Sequence, residues 1–204
     1  MSGFIGTGLP RTIEDKNVGW VFIKAQKVTS GVSTVQFQDG TNDVVMDSTY
    51  DEYMFIFTSM HPQNNNVQFT FQVNGSGESG YNEAVNSVHW NHYSGASKTA
   101  TLNYEDGNDS GGGATAYQNI LSRRTGNAAR ESVSGDLHLF EPANAGKVTH
   151  FISKGHGYHN EDYALSSRVT GYFDTTAAID EISFAFDSGN IDAGTISMFG
   201  LVKA

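Results

Sequence analysis

Apolar and polar residues alternate along most of this 204-residue chain, and a period of two predicts β-strands. The clearest case is the segment 67–73, which puts four apolar residues on one face and three polar residues on the other. Segments 182–186 and 196–199 repeat the alternation on either side of a turn at 188–190. Weaker alternation predicts further strands at 20–25, 32–37, 137–140, 148–152 and 169–173.

One segment, 53–57, is apolar on both faces, so it predicts a central strand that is covered on both sides. Clusters of Asp, Asn, Gly and Ser between the strand segments predict turns. Eight to ten short strands of this kind predict an all-β, single-domain β-sandwich of jelly-roll or Greek-key type. An up-and-down barrel is the alternative. Only the segment 114–124 has helical spacing, so the sequence predicts at most a short helix.

Two segments do not fit the strand pattern. Residues 1–17 are less periodic than the rest, which predicts an extended N-terminal arm followed by a β-sandwich domain over 18–204. We expect this arm to dock against its own domain or a neighbouring subunit. The polar stretch 94–114 is too long for a plain connection in a compact domain, so it predicts a protruding loop that is functional or forms contacts.

Charge and composition narrow the classes of function. The chain has 12 basic and 22 acidic residues, and its formal net charge is −10. This balance argues against binding to duplex nucleic acid, which needs clustered Lys and Arg. No stretch has the pattern of a membrane span or a cleaved leader, so we expect no membrane insertion. The absence of Cys excludes disulfides and Cys-ligated zinc.

Two histidine pairs have a spacing that could ligate a transition metal: His89 with His92, and His156 with His159. Glycines surround the second pair, which predicts a loop rather than a rigid element that could aim both ligands. We therefore interpret all four as exposed or interface histidines. The sequence predicts no cofactor.

The acidic loop 105–111 offers Asp106, Asn108 and Asp109 as oxygen ligands for calcium. The loop does not follow the EF-hand pattern, and ordinary turn formation explains the same residues. These three residues are therefore the weak candidates for a metal site in a chain that we expect to hold no metal.

Catalytic motifs are absent from the sequence. There is no Gly-x-Ser-x-Gly, no His-Glu-x-x-His and no glycine-rich phosphate loop followed by Lys. Carboxylates such as Asp47, Asp51 and Glu52 could pair for glycoside hydrolysis, but acidic residues that flank strands are more often solvated. We therefore predict a protein that is not an enzyme.

Aromatic and histidine side chains cluster in surroundings rich in Gly, Ser and Asn. Such rings suit sugar stacking and subunit interfaces alike, while packing in the core or at its rim is the alternative for any one of them. We predict two contact loops, 81–93 and 156–163. Their candidate binding residues are Tyr81, His89, Trp90, His92, Tyr93, His156, Tyr158, His159 and Tyr163.

Several segments together carry a recognisable pattern. They include Ser-Thr-Tyr-Asp-Glu-Tyr at 48–53, Met-His-Pro at 60–62, Phe-Thr-Phe-Gln-Val at 69–73, and the segments 115–118, 150–153, 176–184, 188–196 and 198–201. This pattern resembles β-rich virion structural proteins of marine tailed bacteriophages, both tail fibre-like proteins and surface or capsid-decorating proteins. The resemblance covers most of residues 18–202, and its motifs specify strands and turns rather than an active site.

The resemblance implies a structural component of a tailed-phage virion, either a small tail or fibre-associated protein or a protein that decorates the capsid. It implies partners among other virion proteins and other copies of this chain, with a trimer as the favoured assembly. Exposed loops would contact a glycan on the host surface. From the residues alone, a free carbohydrate-binding β-sandwich module is the alternative.

Overall fold

The computed structural model describes residues 19–95 and 100–203, so the predicted N-terminal arm at 1–17 lies outside the described residues. The described residues form two antiparallel sheets that pack face to face, which confirms the prediction of an all-β sandwich. In chain order the strands are β1 Trp20–Val28, β2 Val35–Gln38, β3 Tyr50–Pro62, β4 Phe69–Gly75, β5 Val85–Ser94, β6 Ala100–Tyr104, β7 Gln118–Asn119, β8 Val133–Phe140, β9 Thr149–Tyr158, β10 Ala164–Phe173, β11 Ile179–Phe186 and β12 Ile191–Val202.

The strand order is that of a jelly roll with an extension. The larger sheet has the order β1-β12-β3-β8-β9-β10-β5-β6 and the smaller sheet β2-β11-β4-β7. The pairs β1 with β12, β2 with β11, β3 with β8 and β4 with β7 are those of one long hairpin rolled into two sheets. Eight strands therefore form the jelly roll itself. The other four, β9, β10, β5 and β6, extend the larger sheet beyond β8.

The core lies between the two sheets and is strongly aromatic. Along β3 the alternation buries Tyr53, Phe55 and Phe57 against the smaller sheet. Phe184 of β11 contacts the rings of several neighbours, and Phe55 is one of them, with ring centroids 5.6 Å apart. Offset and edge-to-face packing of this kind stabilises a core beyond the burial of apolar area alone. The residues 53–57 thus form a central strand as predicted.

The prediction that strand 53–57 is covered on both sides is correct for one side only. The side chains of Met54 and Ile56 point away from the smaller sheet and are half-buried. Their partial burial comes from neighbours on the same face, because no described layer lies over that side of the sheet.

The segment 105–125 covers the inner side of the extension in place of a sheet. Ser122 contacts Asn91 of β5 and Ser167 of β10 through hydrogen bonds. Leu121 packs against Gly155 and Gly157 of β9, where an added Cβ would lie 2.7 Å and 2.6 Å from the Leu121 methyl groups. The glycines are therefore required by close packing of this segment, not by a loop conformation.

Two local predictions are wrong. The segment 114–124 is not helical: it contains β7, and Ile120 donates a backbone hydrogen bond to Phe69 of β4, so sheet pairing takes the place of helical bonds. A 3₁₀ turn, Asp106–Asn108, is the one helical element of the described residues. Likewise the predicted contact loops are wrong in part, since β5 contains residues 85–93 of the first and β9 contains residues 156–158 of the second.

Candidate functional site on the outer face of the larger sheet

The larger sheet has one face against the smaller sheet and one face that no described element covers, which we call the outer face. Five large hydrophobic side chains are exposed in the described part of the chain, and strand alternation places all five on this face. Leu102 is 75% exposed and Phe22 is 57% exposed. The complete set is Trp20, Phe22, Val88, Leu102 and Tyr104. Trp20 and Phe22 lie at one end of the face, on β1, and the other three side chains lie at the opposite end, on β5 and β6. Exposed apolar surface is typical of a contact site where it is contiguous, so each end is considered separately.

One end of the outer face is apolar, and we call it the apolar sector. It consists of Trp20 and Phe22 on the edge strand β1 and Phe199 and Leu201 on β12. In the register of these strands, Trp20 is opposite Leu201 and Phe22 is opposite Phe199. The rings of Phe22 and Phe199 pack edge to face at 5.7 Å. Among the described residues β1 is an edge of the sheet, so one row of its backbone groups has no strand partner there and lies beside this apolar surface.

A charged cluster separates the two halves of the outer face. His138 Nδ1 lies 2.6 Å from Glu52 Oε1, and His138 Nε2 lies 3.4 Å from Asp136 Oδ2. The hydrogen bond with Asp136, together with the one with Glu52, raises the pKa of His138 above its usual value, although burial opposes this. The same bond lowers the pKa of Asp136. The ring of Trp20 contacts His138 at 5.6 Å, so this cluster adjoins the apolar sector.

The other end of the outer face is basic, and we call it the cationic sector. Lys154 of β9 lies directly opposite Arg168 of β10, and Arg168 lies opposite Trp90 of β5, which in turn lies opposite Tyr104 of β6. At about 4.8 Å between strands, this row extends about 14 Å across the sheet. Lys154 and Arg168 are both exposed, and neither has an ion-pair partner within 4.0 Å among the described residues.

A groove of about 530 Å³ lies beside this row on the outer face. The rings of His150 and Tyr172 pack edge to face there at 6.0 Å. Ile152 and Thr170 lie opposite each other on β9 and β10, one row from Lys154 and Arg168. The outward side chains that line the groove are Asn86, Val88, Phe140, His150, Ile152, Thr170 and Tyr172.

The structure separates the predicted site residues into distinct places. His89 and His92 lie on opposite faces of β5, because residues three apart on a strand point in opposite directions, so they cannot share a metal. His92 and Trp90 lie on the outer face, and so does His156 of β9, which is opposite Ser166. Tyr158 ends β9, and its hydroxyl donates to Asp162 Oδ1 at 3.1 Å.

His89 is completely buried on the inner side of β5, and neither ring nitrogen has a hydrogen-bond partner among the described residues. Burial lowers the pKa of His89 from 6.5 to about 4, and the carboxylate of Asp109 opposes this only in part. The predicted role as an exposed or interface histidine is therefore wrong for His89, and it is wrong also for His159, which is buried.

Three other predicted residues do come together. The rings of His159 and Tyr163 stack at 4.0 Å, and Tyr93 lies 5.1 Å from Tyr163. Arg123, which the sequence did not single out as a site residue, lies over the ring of Tyr93 at 4.5 Å and pairs with Glu105 at 3.6 Å. The rings and the guanidinium of this cluster contact one another, which indicates a role in packing.

Tyr81 lies apart from all of these residues, in the connection between β4 and β5. Its backbone N–H donates to Asn74 Oδ1 at 2.6 Å. Burial and a hydrogen bond with Glu181 of β11 raise the pKa of Tyr81. Tyr81 therefore belongs to the end of the smaller sheet.

The side chains of two of the three weak metal candidates, Asn108 and Asp109, are engaged in other bonds. Asp109 accepts hydrogen bonds from the backbone N–H of His89 and from the Tyr104 hydroxyl. Asn108 Oδ1 accepts from the side chains of Gln68 and Asn119 at 2.9 Å. Within residues 19–95 and 100–203, no group of three or more acidic or histidine side chains is placed to hold a metal ion.

Comparison of the chain with family models, with curated proteins and with solved structures finds no match. Among the described residues there is also no helix with the length and apolarity needed to cross a membrane. The outer face, with its two sectors and its groove, is therefore the basis on which we propose a function.

Sequence reasoning missed most of the cationic sector. Lys154, Arg168 and Tyr104 stand far apart in the chain and meet only through the register of β9, β10, β5 and β6. A signal was present in β9, where alternate residues from 150 to 158 are His, Ile, Lys, His and Tyr. That alternation places all five on one face of a strand.

Proposed function

We propose that the chain is a non-enzymatic structural component of a tailed-phage virion that assembles through the outer face of its larger sheet. The apolar sector would contact other copies of the chain, in a trimer, and other virion proteins. The observation that carries the proposal is the apolar sector, where Trp20 and Phe22 are exposed on the uncovered face opposite Leu201 and Phe199.

Two further features support assembly through the apolar sector. Phe22 and Phe199 present paired rings at the sheet edge, and aromatic side chains are enriched in interface cores. The neighbouring edge strand β1 supplies unpaired backbone groups for a second set of contacts. The sequence resemblance to phage virion proteins, together with the jelly-roll order, supports the location on a particle.

A second candidate function is that of a free carbohydrate-binding module. The groove of about 530 Å³ favours it, since rings with polar edges line an open depression. The two candidates predict different behaviour in solution. The virion component forms a stable oligomer, whereas the free module is a monomer that binds a saturable ligand.

Particle association tests the first candidate. A tagged copy of the chain, produced in cells during infection by a tailed phage that encodes it, should band with intact particles in a density gradient. The double variant Phe22→Ser/Phe199→Ser should leave the particle fraction, because it removes the apolar contact.

The matched control is Val88→Ser/Leu102→Ser, which removes two exposed apolar side chains from the other end of the same face. It should remain with the particles. Wild-type chain that stays at the top of the gradient would refute the proposal, and loss of both double variants alike would refute the role of the apolar sector.

A further inference from the structure

We propose that the cationic sector and the adjoining groove bind an acidic polysaccharide, one whose sugar rings carry carboxylate or sulfate groups. The inference deepens the glycan contact considered above by naming its charge. It does not depend on the location of the chain on a particle.

The charge distribution is the first argument. The strands β5, β6, β9 and β10 contain no Asp or Glu anywhere, although the chain as a whole has 22 acidic residues. The outer face of these strands carries Lys154 and Arg168. In a chain of net charge −10, this region is complementary to an anion.

The direct pairing of two cations is the second argument. Lys154 and Arg168 lie opposite each other across β9 and β10, an arrangement that destabilises a sheet. Asp136 lies opposite Lys154 on β8 and offsets part of its charge, whereas the strand neighbours of Arg168 are Lys154 and Trp90, and neither is acidic. An anionic group placed between the two cations would remove this repulsion.

The aromatic surroundings are the third argument, because they indicate sugar rings rather than a simple ion. Trp90 and Tyr104 continue the row from Arg168, and Tyr172 and His150 form one wall of the groove. Flat rings with polar edges pack against the apolar faces of sugars while their polar atoms accept or donate hydrogen bonds. Along a strand, His150 and Tyr172 lie four residues, or about 13 Å, from Lys154 and Arg168, so an extended chain can contact both the cations and the rings.

Nucleic acid is a poorer fit to the same surface. Two cations neutralise few phosphates, whereas nucleic-acid affinity grows with the number of phosphates that are neutralised. The net charge of −10 also repels a densely charged polymer. A polysaccharide with widely spaced charges matches two cations beside an aromatic groove.

Trp90 provides a direct measurement of binding at this site. The chain has two tryptophans, so Trp20→Phe leaves Trp90 as the sole fluorescent indole. In this background we would titrate polygalacturonate, lightly sulfated dextran, neutral dextran and a single-stranded oligonucleotide at low salt. We expect a saturable change in Trp90 emission with at least one of the two acidic polysaccharides, weakened at least tenfold by added salt, and none with neutral dextran.

Charge-reversal variants make the site assignment falsifiable. In the same background, Lys154→Glu/Arg168→Glu should weaken binding at least tenfold, and the gentler Lys154→Gln/Arg168→Gln should weaken it in the same direction. The control Lys27→Glu/Lys147→Glu changes the net charge by the same amount as Lys154→Glu/Arg168→Glu, but at exposed positions elsewhere in the chain. It should bind the acidic polysaccharide within twofold of the parent. Circular dichroism and thermal melting of each variant establish that it is folded.

Four results would overturn the inference: no response to either acidic polymer, an oligonucleotide response as strong as theirs, equal weakening by the control, or no weakening by the site variants. A response to neutral dextran alone would support glycan binding while refuting the acidic ligand. The particle-association experiment is unaffected by any of these results, so the two proposals fail separately.

Discussion

The buried imidazole of His89 should make the free energy of unfolding depend on pH. Both ring nitrogens of His89 lack hydrogen-bond partners, and burial lowers its pKa from 6.5 to about 4. The unfolded chain therefore binds a proton at His89 at a higher pH than the folded chain does. Stability from this group is present above pH 6.5 and is lost as the pH falls toward 4.

The size of the loss follows from the two pKa values. At about 1.4 kcal/mol per pKa unit, the full effect of His89 is about 3 kcal/mol, and about 2 kcal/mol of it is reached by pH 5. A loss of this size is a large part of the roughly 5–15 kcal/mol by which a domain is stable.

The test is urea unfolding, followed by tryptophan fluorescence at several pH values between 7 and 4.5, for wild type and His89→Leu. The leucine variant removes two unpartnered buried nitrogens, so it should be as stable as wild type at pH 7 or more so. Between pH 7 and pH 5 it should lose about 2 kcal/mol less than wild type. His89→Gln, which is polar but does not titrate, should show the same reduced loss and so separates titration from polarity. Equal losses in wild type and both variants would refute the reasoning.

Three further predictions follow from other contacts. Gly171→Ala should destabilise the fold by about 1–3 kcal/mol or more in chemical unfolding, because a Cβ there would lie 2.2 Å from the backbone oxygen of Asn86. The control Gly107→Ala should destabilise it far less because, apart from its chain neighbours, no described residue comes within 4 Å of a Cβ at that position. Equal effects of the two substitutions would contradict this explanation. His138→Gln should lower stability by about 1 kcal/mol at pH 5.5 and by less at pH 9. The reason is that the raised pKa of His138 gives a stabilisation that is present below pH 6.5 and is lost as the pH rises through the folded-state pKa. A loss of stability that grows with pH would contradict this. Calcium or a chelator should leave the melting temperature unchanged, since the oxygens of Asn108 and Asp109 already accept hydrogen bonds; a clear rise with calcium would contradict the assignment of these side chains to structural bonds.

Strands with an apolar inner face could be predicted from the sequence, and those with a polar inner face could not. The segment 67–73 packs against the aromatic core, so its alternation of apolar and polar residues is plain and matches β4. In β5 the inward positions include His89 and Asn91, because a polar segment rather than a sheet covers them. In β5 the side chains still point alternately inward and outward, but the inward ones are no longer consistently apolar, so the sequence shows no hydrophobic alternation.

The glycines of β9 led to a wrong prediction. Gly155 and Gly157 in the sequence predict a loop, yet both lie inside a strand, where the side chain of Leu121 packs against their backbone. Only the tertiary contact gives the reason for them. The candidate site was hidden by a similar dependence on tertiary structure, since Lys154 and Arg168 become neighbours through strand register and not through sequence spacing.

The oligomeric state of the purified chain tests the central claim, assembly through the apolar sector, most directly. Multi-angle light scattering of wild type should give a trimer whose mass does not change when a chelator is added. Phe22→Ser/Phe199→Ser should give a folded monomer, and the control Val88→Ser/Leu102→Ser should remain a trimer. A wild-type monomer of 22.1 kDa, or a trimer that persists in the Phe22→Ser/Phe199→Ser variant, would contradict the claim.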